Sequence, residues 1–221
     1  PGMWDLPDAR IGANDRLRAR AVDDLAQVAA MLCLLDDLHR SGNDGQVTCL
    51  FTRAEEDGFV GAIARARAGQ LPDDAALISL ECSHAKPAGA KIGGGPILRV
   101  GDLMTTFDHA TTLWCARTAE SLAERRRGFV FQRKLMSGGS CEATALGAYG
   151  YTVAAICVGL GNYHNMGDEP DKKGKPVLKA ETVHIDDIHN GIRLMLEMAE
   201  NLGEYPKVMS NLEKRLLQSN R

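Results

Sequence analysis

The strongest constraint on this fold is an alternation, in which short apolar runs of strand length keep giving way to longer segments of helical period. "AALISLECSH" (75–84), "PILRV" after Gly93, Gly94 and Gly95, "GFVFQRKL" (128–135) and "YTVAAICVGL" (151–160) read as strands, the last of them buried. "QVTCLFT" (46–52) reads as one more short strand. Residues 23–39 place Leu25, Val28, Ala29, Leu32, Leu35 and Leu38 on one helical stripe that opens at Asp23 and Asp24, and Gly42 and Gly45 mark the turn after it. "GFVGAIARARA", 107–126, 184–202 and 206–219 are the remaining helical segments. Strands interleaved with helices predict an α/β layered domain with a largely parallel sheet, and in such sheets sites gather at the carboxyl ends of the strands.

Composition narrows the function classes. With 221 residues, 44% hydrophobic and 25% charged, the chain can bury a sizeable core as a single domain over residues 1–221. The net charge is −3 and the basic residues are scattered, so no nucleic-acid partner is expected; "ERRRG" (124–128) reads as a solvated helix end. No apolar run approaches the roughly 18 residues of a membrane span, so no membrane partner is expected either. Six cysteines without CxxC spacing predict reduced thiols and a cytoplasmic setting. The chain opens on Pro1 and not on methionine, which suggests a processed or partial polypeptide. The polar stretch 165–181 reads as a surface loop, either an insertion or a lid.

The chemistry centres on "LFTRAEEDGFVGA" (50–62), where a strand-like run ends in Glu55, Glu56 and Asp57. A helix N-terminus favours acidic residues in this way, and so does a metal site in which one carboxylate binds while its neighbour moves protons. Asp23, Glu56, Glu81 and His164 are the candidate metal ligands, an oxygen-rich set with one histidine that suits zinc, cobalt or manganese. Each has an ordinary alternative: Asp23 can start a helix, and His164 can be a hydrogen-bonded surface histidine. Glu81 is harder to set aside, because a carboxylate closing a buried strand is costly without a partner. His84, in "CSHA" near Glu81, reads as a packing or hydrogen-bonding neighbour, with a supporting or substitute ligand as the alternative.

The ordered set "RARAVDDLAQVAAML", "LFTRAEEDGFVGA", "ISLECSHA", "IGGGPILRVGD", "SGGSCEATALGAYGYTVAAICVGLGNYHNM" and "ETVHIDDIHNGIRLM" resembles the dinuclear metal aminopeptidases of the glutamyl and tetrahedral aminopeptidase family, some of which carry an endoglucanase label. The resemblance runs from about residue 15 to about 200. It implies a three-layer α/β sandwich, a central mostly parallel mixed sheet flanked by helices, with two divalent metal ions, peptide substrates and a homo-oligomeric state. It also implies roles. Asp23 would bridge both metals, Glu56 and His164 would complete one site, Glu81 would bind the other ion, and Glu55 would be the general base and acid.

The family pattern is not matched throughout. The family's upstream His-x-Asp segment and its inserted lobe have no counterpart in these residues. "GGSCEA" (138–143) puts Cys141 and Glu142 where an aspartate is usual, and "GNYH" keeps Tyr163 but has Asn162 near the usual arginine. Three other functions stay open at this level: a catalytically reduced scaffold for assembly or binding, a related metal-dependent deacylase, and a glycosidase built on paired carboxylates. The glycosidase is disfavoured by the absence of a facing partner for Glu55 and by the presence of only Trp4 and Trp114 for sugar stacking.

Overall fold

The structure is a computed structural model that describes residues 3–43, 46–86 and 89–219. Its main sheet has four strands in the order β3-β6-β4-β5: β3 (Leu77–His84), β6 (Val153–Leu160), β4 (Ile97–Gly101) and β5 (Gln132–Leu135). β3 and β6 run parallel, as do β4 and β5, while β4 is antiparallel to β6, so the sheet is mixed. Every residue of β6 is buried, as an apolar run of that length demands in a central strand. Its alternate side chains serve two cores. Ala154 and Ile156 pack with Leu98, Trp114 and Leu194 on one face, and Val153 and Ala155 pack with Ala62, Cys141 and Leu146 on the other.

The first face is covered by α1 (Val22–Arg40), α3 (His109–Arg125), α5 (Ile185–Glu200) and α6 (Val208–Ser219), and the second by α2 (Val60–Arg67) and α4 (Glu142–Ala148). Helices on both faces of a mixed sheet make the three-layer α/β sandwich that the family resemblance implies. α3 is capped by Asp108, whose side chain accepts the Thr111 amide at 2.7 Å.

Several details differ from expectation. "QVTCLFT" forms no strand; among the described residues it makes no backbone–backbone hydrogen bond, and its Cys49 thiol points at the Met31 carbonyl. Its composition suits a strand, but no neighbouring strand supplies the ladder bonds. β5 is confined to the last half of "GFVFQRKL". A second, three-stranded sheet of β1 (Arg10–Gly12), β2 (Arg16–Ala19) and β7 (Glu181–His184) was not legible, because its strands are only three or four residues long. Gly42 takes φ +68 in the turn after α1, and Gly45 lies outside the described residues.

The glycine turn before β4 has a specific cause. Gly93 and Gly95 each donate a backbone N–H to the Asp187 carboxylate at 2.7 Å, joining this turn to α5. Gly95 sits at φ +82, where an added Cβ would overlap the Val130 carbonyl oxygen. Gly95→Ala is therefore expected to destabilise the fold by about 3 kcal/mol or more, through backbone strain together with a main-chain clash. Chemical denaturation should show a lower midpoint at an unchanged m-value.

Candidate metal centre

Four separate segments build the site. The carboxyl half of β3 carries Glu81, the turn after the parallel neighbour β6 carries His164, the turn before α2 carries Glu55 and Glu56, and the start of α1 carries Asp23. Asp23 does not serve as a helix cap. Its ψ of 110 and the ψ of 35 at Asp24 are not helical, and the peptide bond between the two is cis. The backbone amides of Val22 and Asp23 instead donate to Glu181 Oε2 at 2.8 and 3.0 Å. Glu181 is only 3% exposed and comes from β7, so the small second sheet holds the backbone that aims Asp23.

The Asp23, Glu56 and His164 ligand atoms all lie within 4.8 Å of one another. His164 Nε2 stands 3.6 Å from Glu56 Oε2 and 3.9 Å from Asp23 Oδ2. Glu55 and Glu81 line the same cleft of about 170 Å³, together with Gly58, Phe59, Ser140 and Tyr163. Glu81 does not join the triplet itself. A second close group, Asp23, Asp24 and Cys82, is buried more deeply, and there the Cys82 thiol faces the Val22 carbonyl at 3.7 Å. Burial pushes that thiol well up, so it stays protonated and acts as packing.

The electrostatics mark these carboxylates as crowded. Burial, followed by the charges of Glu56, Glu181 and Glu55, lifts Asp23 to about 8. Burial and then Glu56 and Glu142 lift Glu55 to about 7, against a lowering pull from Arg99. Glu81 is raised well above its ordinary value by burial and then by Asp24, Glu55 and Asp23. Like charges brought together in this way are poorly tolerated alone and favourable around a cation. A cluster of carboxylates and one imidazole, with oxygen and nitrogen atoms at mutual ligand spacing, therefore suits a divalent ion.

Two contributors, Arg99 and Glu181, were not singled out from the sequence, and Glu142 was noted there only as a departure from the family pattern. Arg99, 4% exposed, lies beneath the site and donates to Ser83 Oγ at 3.2 Å and to the Gly139 carbonyl at 3.4 Å. Its position inside the apolar run "PILRV" was the available signal, since a buried charge needs partners. Glu142, which accepts from the Thr52 hydroxyl, adds negative field at Glu55. Glu181 had no local signal at all. Asn162 donates from Nδ2 to the Ala180 carbonyl at 2.8 Å and accepts the Asp168 amide at 3.1 Å, so it fixes the loop 165–181 against the sheet.

No curated protein matches the chain significantly, but solved structures do. The TET aminopeptidase of a marine-sediment thaumarchaeon is 21% identical, with a TM-score of 0.71 over 88% of this chain and 52% of that one. The Pyrococcus horikoshii TET1 peptidase is 22% identical, with a TM-score of 0.68 over 87% of this chain and 52% of its own. An aminopeptidase of Desulfurococcus kamchatkensis is 21% identical, with a TM-score of 0.68 over 88% and 51%. At this identity they share the fold, and the chain spans about half of their length. Among the described residues no helix is long and apolar enough to cross a membrane. The family model for M42 glutamyl aminopeptidases matches residues 6–173, a stretch that contains Asp23, Glu55, Glu56, Glu81 and His164. The chain belongs to the M42 glutamyl aminopeptidase family.

Proposed function

We propose that this chain is the catalytic core of a metal-dependent aminopeptidase that removes N-terminal residues from peptides. The observation that carries the reading is the convergence of Asp23, Glu56 and His164, with a third acid, Glu55, lining the same cleft as Asp23 and Glu56. Asp23, Glu56 and His164 would hold one divalent ion, zinc, cobalt or manganese, while Asp23 and Glu81 would contribute to a second. Ions held there lower the pKa of a water molecule and polarise a carbonyl.

Glu55 is the proton carrier in this reading. It is not in the close triplet, and burial, then Glu56 beside it, hold its proton affinity up. It takes a proton as water oxygen adds to the scissile carbonyl carbon, and returns that proton to the amine nitrogen as the carbon–nitrogen bond breaks. Arg99 below the cleft keeps Glu55 and Glu81 from rising further. Asp24, half-buried and lifted to about 8 by burial and then by the charge of Asp23, has no role of its own in this reading.

The TET1 peptidase can assemble into a tetrahedron or a large octahedral shell; by family likeness a homo-oligomeric state is proposed here as well. Six unpaired cysteines accord with a reducing cytoplasm.

The test is hydrolysis of aminoacyl anilides by the purified chain loaded with zinc, cobalt or manganese. Activity lost on chelation and regained with metal is expected, with N-acetylated analogues left intact. Metal binding without any hydrolysis would replace the enzyme with a scaffold, and cleavage of the acetylated analogues would replace it with a deacylase.

A further inference from the structure

Tyr163 is held in a way that the reading so far does not use. Its ring stacks on His164 at 3.9 Å between centroids and 18° between planes, and the His84 ring lies nearly parallel to it at 5.5 Å and 5°. Neighbouring residues of a chain seldom stack, because their side chains diverge. Here Asn162, His164 and Asn165 all take positive φ, which turns Tyr163 and His164 onto one face. The His84 ring is fixed in turn: His84 Nε2 and Asp168 Oδ1 are 3.2 Å apart, and the Asp168 amide is bound by Asn162. The phenol is thus held against two imidazoles, one a proposed metal ligand and the other anchored to the loop.

The hydroxyl of this stacked ring has a free donor. Tyr163 lines the cleft with Asp23, Glu55, Glu56 and Glu81, and its hydroxyl has no hydrogen-bond partner among the described residues. It lies against the turn at Gly139, 3.8 Å from where a side chain on that residue would begin. The adjacent Ser140 also lines the cleft, and its buried hydroxyl is likewise without a partner. Two uncommitted O–H groups lining the cleft that Asp23, Glu55, Glu56 and Glu81 also line form a site for an oxygen atom that gains negative charge.

We propose that Tyr163 is a further catalytic residue, whose hydroxyl donates a hydrogen bond to the former carbonyl oxygen of the tetrahedral intermediate. This rests on the aminopeptidase reading. As water oxygen bonds to the carbonyl carbon, the carbonyl π pair moves onto oxygen and Tyr163 stabilises it without giving up its proton. When the carbon–nitrogen bond breaks, the pair returns. His84 and Asp168 are positioning residues, since they touch the ring and not the substrate.

Tyr163→Phe tests the proposal, because it keeps the stacked ring and removes only the hydroxyl. The expected result is a loss of about 10²–10³-fold in kcat with little change in KM, as for removal of one oxyanion donor. Metal content should stay at the parent's value. Binding of a phosphinate peptide mimic of the tetrahedral state, followed calorimetrically without turnover, should weaken by the same factor, while binding of the product amino acid holds. His84→Ala should lower kcat, and His84→Phe, which restores a flat ring, should recover it. If the parent hydrolyses peptides and Tyr163→Phe does so equally fast, Tyr163 has no such role and the aminopeptidase reading stands. If the metal-loaded parent neither hydrolyses peptides nor binds the phosphinate, both fall.

Discussion

Glu55→Gln is expected to reduce kcat by about 10²–10⁴-fold, the usual contribution of a positioned general base, and to leave metal content unchanged. The expectation follows from the division of labour between adjacent residues. Glu56 stands in the triplet with Asp23 and His164, whereas Glu55 lines the cleft outside it. Glutamine preserves the shape of the side chain and its capacity to accept a hydrogen bond, but it cannot take a proton. It also removes one of the charges that raise Asp23 and Glu81, so metal-free protein should become more stable at neutral pH even as activity disappears. That combination separates a proton carrier from a structural residue. Kinetics on an aminoacyl anilide, metal analysis and a thermal melt suffice; full turnover by the variant would exclude the role.

The second large effect is a reversal of the pH dependence of stability when metal is removed. In the metal-free fold Asp23 is lifted from 3.8 to about 8, and Asp24 likewise. Between those values the folded chain holds protons that the unfolded chain has lost, so stability falls as pH rises through this window. Each unit of difference corresponds to about 1.4 kcal/mol. The two aspartates are partly open to solvent, and even a quarter of the full linkage, a loss of about 2 kcal/mol between pH ~5 and ~8, would lower the melting temperature by roughly 4–8 °C in a chain of this size. With a saturating divalent ion the trend should invert. Ligands must be deprotonated to bind, so affinity increases with pH, and an ion at about 100 times its Kd adds about 2.7 kcal/mol. Melts in chelator and in zinc across this range give the comparison, and parallel slopes in the two series would show that the carboxylates do not hold the ion.

The site was partly legible for a physical reason that separates its members. Glu55 and Glu56 stood out because two carboxylates follow an apolar run, and Glu81 because a charge sits in a strand that must be buried. Asp23 looked like a helix start until the backbone showed non-helical ψ at both aspartates. Glu181, Arg99 and the ring pair of Tyr163 with His84 act through contacts that no local window contains. "QVTCLFT" shows the opposite failure: its residues suit a strand, but a strand is a property of two neighbours and only one was on view.

The sequence by itself determined the α/β class, the order of the main helices and most of the strands, and the identity of the acids and histidine offered to the site. Periodicity carries this information, because whether a segment buries one face or two is decided within a few residues. Tertiary structure alone decided that Asp23, Glu56 and His164 meet, and that Glu181, 159 positions from Val22, holds the backbone behind them. It also decided that Tyr163 is stacked with its hydroxyl free. Convergence of that kind depends on how the layers stack and how the turns after parallel strands are aimed, which spacing along a chain does not encode.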